Sequence, residues 1–154
     1  MVKKGAKIMK LSIASDHRGV EVKKELITYL KSLGCEVIDY GTNTTTSVDY
    51  PEYAFKVGKS VVDGVVDLGI VICGTGIGMS IACNKVKGVR CAKVHTTEEC
   101  ILTRSHNDAN VIALSAKESM DLLKELVHAF ITTPFSNEER HIRRITQIKE
   151  YENA

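Results

Sequence analysis

The six residues Leu68–Cys73 constrain the fold more than any other segment of the chain. They form an apolar run that leads directly into the glycine-rich stretch Gly74–Gly78. A run of this length without polar alternation is typical of a strand buried on both faces of a parallel sheet. Glycines directly after such a strand permit a tight turn into a helix. We therefore predict a central strand, a turn and a short helix over Met79–Lys85.

Strand-like and helix-like segments alternate along the rest of the chain. The other predicted strands are 11–15, 36–40, 91–94 and 111–114, and the other predicted helices are a segment ending at Gly34, then 53–63, 97–104, 119–132 and about 137–151. This alternation predicts one α/β domain over residues 1–154, a three-layer, doubly wound, Rossmann-like fold with a five-stranded, mostly parallel sheet. Residues 1–8 are expected to be a disordered extension. Ligands bind such folds at the carboxyl ends of strands, so the polar clusters after strands one, three and four are expected to share one rim.

Charge and composition exclude several classes of protein. The chain has 21 basic and 19 acidic residues, a formal charge of +2, which gives no global field for nucleic acid or an anionic membrane. No apolar run approaches the length of a membrane span, and the start does not resemble a signal peptide. The five cysteines, spaced 38, 10, 8 and 9 residues apart, fit neither a disulfide framework nor a zinc site. We predict a soluble cytoplasmic protein without a bound metal.

Cys73 is a candidate for chemistry because it ends the predicted central strand beside the N–H groups of Gly74–Gly78. Such N–H groups can hold an anion or a developing oxyanion, and they can stabilise a thiolate that acts as a base or nucleophile. Taken alone, a cysteine in a strand is more often a small buried apolar residue, and the glycines can serve only the turn. Their spacing does not match a dinucleotide-binding fingerprint.

Polar clusters beside two other strands are further candidates. Asp16-His17 follows the first predicted strand, and His106-Asn107-Asp108 lies in a predicted loop just before the last. Histidine transfers protons near neutral pH, but each cluster is equally well explained as a helix cap or a turn. Arg140 and Arg144 share one side of the final helix, which by itself is typical of a solvated face.

Six motifs taken together resemble the type B ribose-5-phosphate isomerases. They are Ser15-Asp16-His17, Val48-Asp49-Tyr50-Pro51, Ile72–Gly78, Asn84-Lys85, His106-Asn107-Asp108-Ala109-Asn110, and Arg140-His141 with Arg144. The resemblance extends from Met9 to about Tyr151, in the family's order and spacing.

The resemblance implies that ribose 5-phosphate and ribulose 5-phosphate are interconverted through an enediolate, in the non-oxidative branch of the pentose phosphate pathway, without metal or organic cofactor. It implies that Cys73 is the catalytic base and that Thr75, with the following N–H groups, stabilises the oxyanion. His106 matches the residue that opens the furanose ring, and Asp16 assists at the ring oxygens.

The resemblance also implies a set of substrate-binding residues: Asp16, His17, Tyr50, Gly74, Thr75, Gly76, Ile77, Gly78, Asn107, Lys117, Arg140 and Arg144. Among these, Tyr50 would line the sugar pocket, Asn107 would bind the substrate, and His17 with the two arginines would bind its phosphate. Where the family commonly has arginine after the last strand, this chain has Lys117. Lysine keeps the charge but loses the two-pronged contact with phosphate.

In the family the sites form at a homodimer interface. We therefore expect a homodimer, or a tetramer, in which the helix at about 137–151 packs on a partner subunit and its arginines reach the neighbour's pocket. Two other functions remain open. One is an isomerase of a phosphorylated hexose, such as allose 6-phosphate or galactose 6-phosphate. The other is a catalytically silent sugar-phosphate-binding module, which needs no thiolate.

Overall fold

A computed structural model describes residues 2–5 and 7–154 of the chain. In chain order the elements are β1 (Lys3–Lys4), β2 (Lys7–Ile8), β3 (Lys10–Ser15), α1 (Val20–Ser32), β4 (Glu36–Asp39), α2 (Pro51–Val62), β5 (Leu68–Cys73), α3 (Ile77–Cys83), β6 (Cys91–Lys93), α4 (Thr97–Asn107), β7 (Val111–Ser115), α5 (Met120–Thr132) and α6 (Glu139–Glu152). Across residues 2–5 and 7–154, no helix is long and apolar enough to cross a membrane.

The strands β3–β7 form one five-stranded sheet in the order β4-β3-β5-β7-β6, and each pairing is parallel. All six residues of the central strand β5 are buried, as the apolar run predicts. The predicted doubly wound α/β fold is therefore confirmed. Each crossover between parallel strands carries a helix back over a face of the sheet, which is why helices cover both faces.

Alternate residues of β5 face two separate cores. Leu68, Ile70 and Ile72 join the core beneath α1, α4 and α5. Val71 and Cys73 join the smaller core beneath α2 and α3. Because successive side chains of a strand point to opposite faces, Cys73 is directed toward the layer formed by α2 and α3.

The amino-terminal residues that the structure describes form a small hairpin, where the sequence predicts a disordered extension. Lys3–Lys4 pairs antiparallel with Lys7–Ile8, and the turn uses Gly5 at a φ of 63°. The N–H of Val2 donates a hydrogen bond of 2.7 Å to the carbonyl of Leu33, which ties the hairpin to the end of α1. Met1 and Ala6, which belong to the same predicted extension, lie outside the described residues.

The helix α4 is longer than predicted and reaches Asn107. It begins at a capping box, in which the Thr96 side chain accepts the Glu99 N–H and the Glu99 carboxylate accepts the Thr96 N–H. It ends at Asp108, whose φ of 45° is left-handed. Nη1 of Arg104 donates to the Asp108 carboxylate at 2.9 Å and to the Ala109 carbonyl at 2.7 Å, so an arginine inside the helix stabilises its last turn.

Candidate active site

An open cleft of about 460 Å³ lies at the carboxyl ends of β3 and β5. Its lining residues are Asp16, His17, Arg18, Val48, Tyr50, Cys73, Gly74, Thr75, Ile77 and Gly78. A groove of about 750 Å³ against α5 is larger, but none of the predicted site residues lines it. The smaller cleft is therefore the candidate active site, because it contains the predicted site residues and lies at the strand ends, where ligands bind in folds of this class. We call it the Cys73 cleft.

Cys73 is held at the floor of this cleft by one hydrogen bond to its side chain and one to its backbone. The residue is 6% exposed, and its Sγ accepts the Gly76 N–H at 3.1 Å. Its carbonyl accepts the Ala116 N–H at 2.9 Å, which fixes the strand end to the loop after β7. These two bonds hold the thiol at the cleft floor with its sulfur facing the glycine-rich loop.

Two backbone donors beside Cys73 are left for a ligand. Among the residues that the structure describes, the N–H groups of Gly74 and Thr75 meet no hydrogen-bond acceptor. Oγ1 of Thr75 accepts the Ile77 N–H at 3.2 Å, which holds the loop open around these donors. Two adjacent N–H groups next to a thiol form the donor arrangement that stabilises an oxyanion.

Glycine is required at two positions of this loop for different reasons. Gly76 has a φ of 79°, and a Cβ there would lie 3.1 Å from the backbone of Leu114. A Cβ on Gly78 would lie 2.6 Å from the ring of Tyr50. The absence of a side chain at Gly78 thus lets Tyr50 close one wall of the cleft.

Asp16 and His17 form the opposite wall, and both are oriented by backbone groups. Oδ1 of Asp16 accepts the N–H groups of Arg18 at 3.0 Å and Gly19 at 3.2 Å. Nδ1 of His17 accepts the Val48 N–H at 3.3 Å. In the neutral ring the proton is therefore on Nε2, which remains available as a donor to a ligand.

Lys23 is a buried residue near the site that the sequence did not single out. Its Nζ donates to both carboxylate oxygens of Asp39 and to Oδ1 of Asn43, each at 2.7 Å. Oδ1 of Asp39 also accepts the Gly41 N–H at 2.9 Å. This network anchors the segment that leads to Tyr50. A lysine between Val20 and Leu26 on the apolar side of α1 is the sequence signal that could have revealed it.

Lys117 lies close to the Cys73 loop through its backbone. Its N–H donates to Oγ of Ser115 at 3.2 Å, and that hydroxyl donates to the Gly74 carbonyl at 2.8 Å. The Lys117 side chain is exposed at the same edge of the sheet. Its placement suits the predicted contact with an anionic group of a ligand.

The remaining predicted residues form a second cluster on α4 and α6. The rings of His106 and His141 stack with their centroids 4.2 Å apart. Nδ1 of His141 lies 2.7 Å from Oγ of Ser136, and burial, followed by the effect of His106, lowers the pKa of His141. Arg140 and Arg144 are exposed on α6, and Nε of Arg140 donates to the Glu138 carboxylate at 2.8 Å.

The two clusters lie at opposite edges of the sheet. The Asn110 N–H donates to the Arg90 carbonyl, and the Gly69 N–H donates to the Asn110 carbonyl. Because these residues mark the amino ends of β6, β5 and β7, the end of α4 that carries His106 lies at the amino edge. The expectation that all polar clusters share one rim is therefore wrong for His106-Asn107. The helix α4 carries the chain back to the amino ends of the strands, and it is about 16 Å long at 1.5 Å per residue.

Both the sequence and the fold match those of proteins named as isomerases. The model of the protein family described as Ribose/Galactose Isomerase matches residues 11–148 of this chain. A Bacillus subtilis protein, named only as a sugar phosphate isomerase, is 48% identical to this chain. The match covers 94% of this chain and 97% of that protein. The structure of Clostridium thermocellum ribose-5-phosphate isomerase B superimposes with a TM-score of 0.91 at 44% identity, over 94% of this chain and 98% of that one. Mycoplasma genitalium ribose-5-phosphate isomerase B, solved with bound ribulose-5-phosphate, gives a TM-score of 0.89 at 40% identity, with coverages of 94% and 97%.

The fold, the thiol at the strand end and these comparisons define an enzyme of the sugar-phosphate isomerase class. The chain belongs to the ribose/galactose isomerase family. The resemblance to type B ribose-5-phosphate isomerases that the six motifs indicate is thereby confirmed.

Proposed function

We propose that the chain interconverts ribose 5-phosphate and ribulose 5-phosphate in the cytoplasm. The observation that carries the proposal is the thiol of Cys73 beside the N–H groups of Gly74 and Thr75, which have no acceptor within the described part of the chain. Proton abstraction next to a carbonyl needs a base and an oxyanion site within reach of each other, and this loop supplies both. The relative from Mycoplasma genitalium, with its bound ribulose-5-phosphate, supports the choice of a pentose.

The reaction needs no external oxidant or reductant. The Cys73 thiolate removes the proton from C2 of the open-chain aldose, and the electron pair moves to form an enediolate. The resulting thiol returns the proton to C1, while a second proton passes between O1 and O2. The Gly74 and Thr75 N–H groups stabilise the charge that develops on oxygen in the intermediate.

Ring opening and phosphate binding use residues of both clusters. His106 donates the proton that opens the furanose, and Asp16 positions the ring oxygens. Asn107 binds the sugar, and Tyr50 forms the wall of its pocket. His17, Lys117, Arg140 and Arg144 hold the phosphate, with the guanidinium groups forming paired hydrogen bonds.

A second copy of the chain brings the two clusters together. Within one chain Cys73 lies at the carboxyl ends of the strands, whereas His106 lies at their amino ends and its ring contacts His141 on α6, so one small substrate does not reach both clusters. Several large apolar side chains are exposed on α3 and α6: Ile77, Ile81, Ile142, Ile148 and Tyr151. Exposed apolar patches of this kind mark interaction surfaces, which supports a twofold dimer with shared sites and leaves a tetramer as a further assembly of such dimers.

A coupled assay for ribulose 5-phosphate formation tests the proposal, with chelator present and allose 6-phosphate as a parallel substrate. We expect turnover of the pentose, and we expect Cys73→Ala to lower kcat by roughly a thousandfold. Sugar-phosphate affinity, measured by calorimetry, should survive in that variant because the thiol is not needed for binding. Activity on the hexose alone would identify the hexose isomerase, and binding without turnover of either sugar would identify a silent module.

A further inference from the structure

Arg18 lies at the mouth of the Cys73 cleft, and nothing in the proposed mechanism uses it. Its backbone is fixed because its N–H and that of Gly19 both donate to Oδ1 of Asp16. The turn also presses against the sheet, since a Cβ on Gly19 would lie 2.9 Å from Cγ2 of Ile72. The direction in which the Arg18 side chain leaves the backbone is therefore set by the fold.

The Arg18 side chain reaches across to the loop that carries the thiol. A Cβ built on Gly74 would lie 3.2 Å from Nη1 of Arg18 and 3.2 Å from its Cδ. Gly74 follows Cys73 directly, and its N–H is one of the two loop donors that meet no acceptor among residues 2–5 and 7–154. The guanidinium thus lies against the part of the cleft where the oxyanion forms.

The positive charge of Arg18 has no counter-charge in the described part of the chain. Its side chain makes no hydrogen bond or ion pair with residues 2–5 or 7–154, whereas Arg90, Arg104 and Arg140 each contact a carboxylate. Asp16 is the one acid among the residues that line the cleft, and its Oδ1 is occupied by two backbone donors. A guanidinium in this position can accept an anionic group without first breaking an internal contact.

We propose that Arg18 is a catalytic residue that stabilises the negative charge of the enediolate. This inference rests on the proposed isomerase function and adds a group to it. The N–H groups of Gly74 and Thr75 carry only partial charges, while the guanidinium supplies a full positive charge at the same end of the cleft. Arg18 stays protonated throughout, so the proton transfers by Cys73 are unchanged.

The test compares Arg18→Met and Arg18→Lys with Lys31→Met, which removes one positive charge from an exposed position at the far end of α1. Two competitive ligands probe the two ends of the cleft separately. Inorganic phosphate probes the phosphate site, and a phosphorylated four-carbon hydroxamate imitates the planar enediolate. Thermal melting checks that the variants fold, which we expect because the guanidinium has no partner within the described chain.

We expect Arg18→Met to lower kcat by about ten- to a hundredfold, less than the full effect of an oxyanion donor because the site is open to water. The affinity for the hydroxamate should fall by a similar factor, while KM and inhibition by inorganic phosphate stay unchanged. Arg18→Lys should keep most of the activity, and Lys31→Met should match the wild type.

Two results would overturn the inference. In one, Arg18→Met raises KM and weakens phosphate inhibition at unchanged kcat, which places Arg18 on the phosphate. In the other, Arg18→Met behaves like the wild type. If the wild-type protein turns over neither sugar, the proposed isomerase function fails, and calorimetric binding of the two ligands still decides the role of Arg18. If Arg18→Met then weakens binding of the hydroxamate but not of phosphate, the result supports an anion contact of Arg18 at Gly74. If hydroxamate binding is unchanged in the variant, or absent in the wild type, the contact is refuted.

Discussion

The ring of His106 stacks on the ring of His141, with centroids 4.2 Å apart and planes inclined by 30°. This contact joins the last turn of α4 to the first turn of α6. His141 is 4% exposed, and its pKa is lowered first by burial and then by His106, with Arg140 and Arg144 acting in the same direction and Glu138 opposing them. The neutral form of His141 is therefore the one that fits the folded chain.

This lowered pKa predicts a loss of stability in mild acid. Just below the ordinary value of 6.5, the unfolded chain binds a proton at His141 that the folded chain does not. The free energy of unfolding should therefore fall as the pH drops from about 6.5 toward the lowered pKa of the folded state, and the contribution should be constant above that range. Urea unfolding at a series of pH values measures it. His141→Asn should show a shallower dependence, and an equal dependence in both proteins would contradict the assignment to His141.

Mixing two inactive variants tests whether the Cys73 cleft is completed by a second copy. Cys73→Ala and His106→Ala should each be inactive alone. After the subunits exchange, each mixed dimer contains one site with both groups intact, so activity should return to about a quarter of the wild-type value. The control mixes two preparations that carry the same substitution. No recovery, with subunit exchange verified by mass spectrometry, would show that one chain supplies both groups.

The ion pair between Lys23 and Asp39 predicts an asymmetry between two substitutions. The Lys23 side chain is fully buried, whereas the Asp39 side chain is 31% exposed. Asp39→Asn leaves a buried ammonium without its counter-charge and should lower the free energy of unfolding by about 3 kcal/mol. Lys23→Met leaves a carboxylate that water can still reach, so the loss should be nearer 1 kcal/mol. Denaturant unfolding compares them, and a larger loss in Lys23→Met would argue against this account of the pair.

The close approach of Gly78 and Tyr50 predicts that substitutions at both residues act through the loss of the Tyr50 ring from the cleft wall. A methyl group on Gly78 would lie 2.6 Å from the Tyr50 ring, closer than van der Waals contact allows, and would displace the ring from the cleft wall. Gly78→Ala should therefore raise KM several-fold, on the scale of one lost packing contact. In a Tyr50→Ser background the same substitution should have little further effect, because the ring is already gone. Additive effects on KM would mean that Gly78 acts in another way.

The sequence by itself determined the order of the elements and the class of the fold. The apolar run Leu68–Cys73 and the helical periodicity around it are local patterns, and local patterns report which backbone state a segment prefers. The motif residues at the strand ends could likewise be named before their positions were known. Cys73, Thr75 and Tyr50 lie together as expected because each follows or faces the carboxyl end of a parallel strand.

Only the tertiary structure decided where the other groups lie. The last turn of α4 carries His106 to the amino edge because Arg104, Asp108 and Ala109 extend the helix past its predicted end. The burial of Lys23 depends on Asp39 and Asn43, residues that are distant in sequence. Arg18 reaches Gly74 only because β3 and β5 are neighbours in the sheet. Periodicity records the preference of a segment for helix or strand, whereas these contacts depend on how segments far apart in the chain pack against one another.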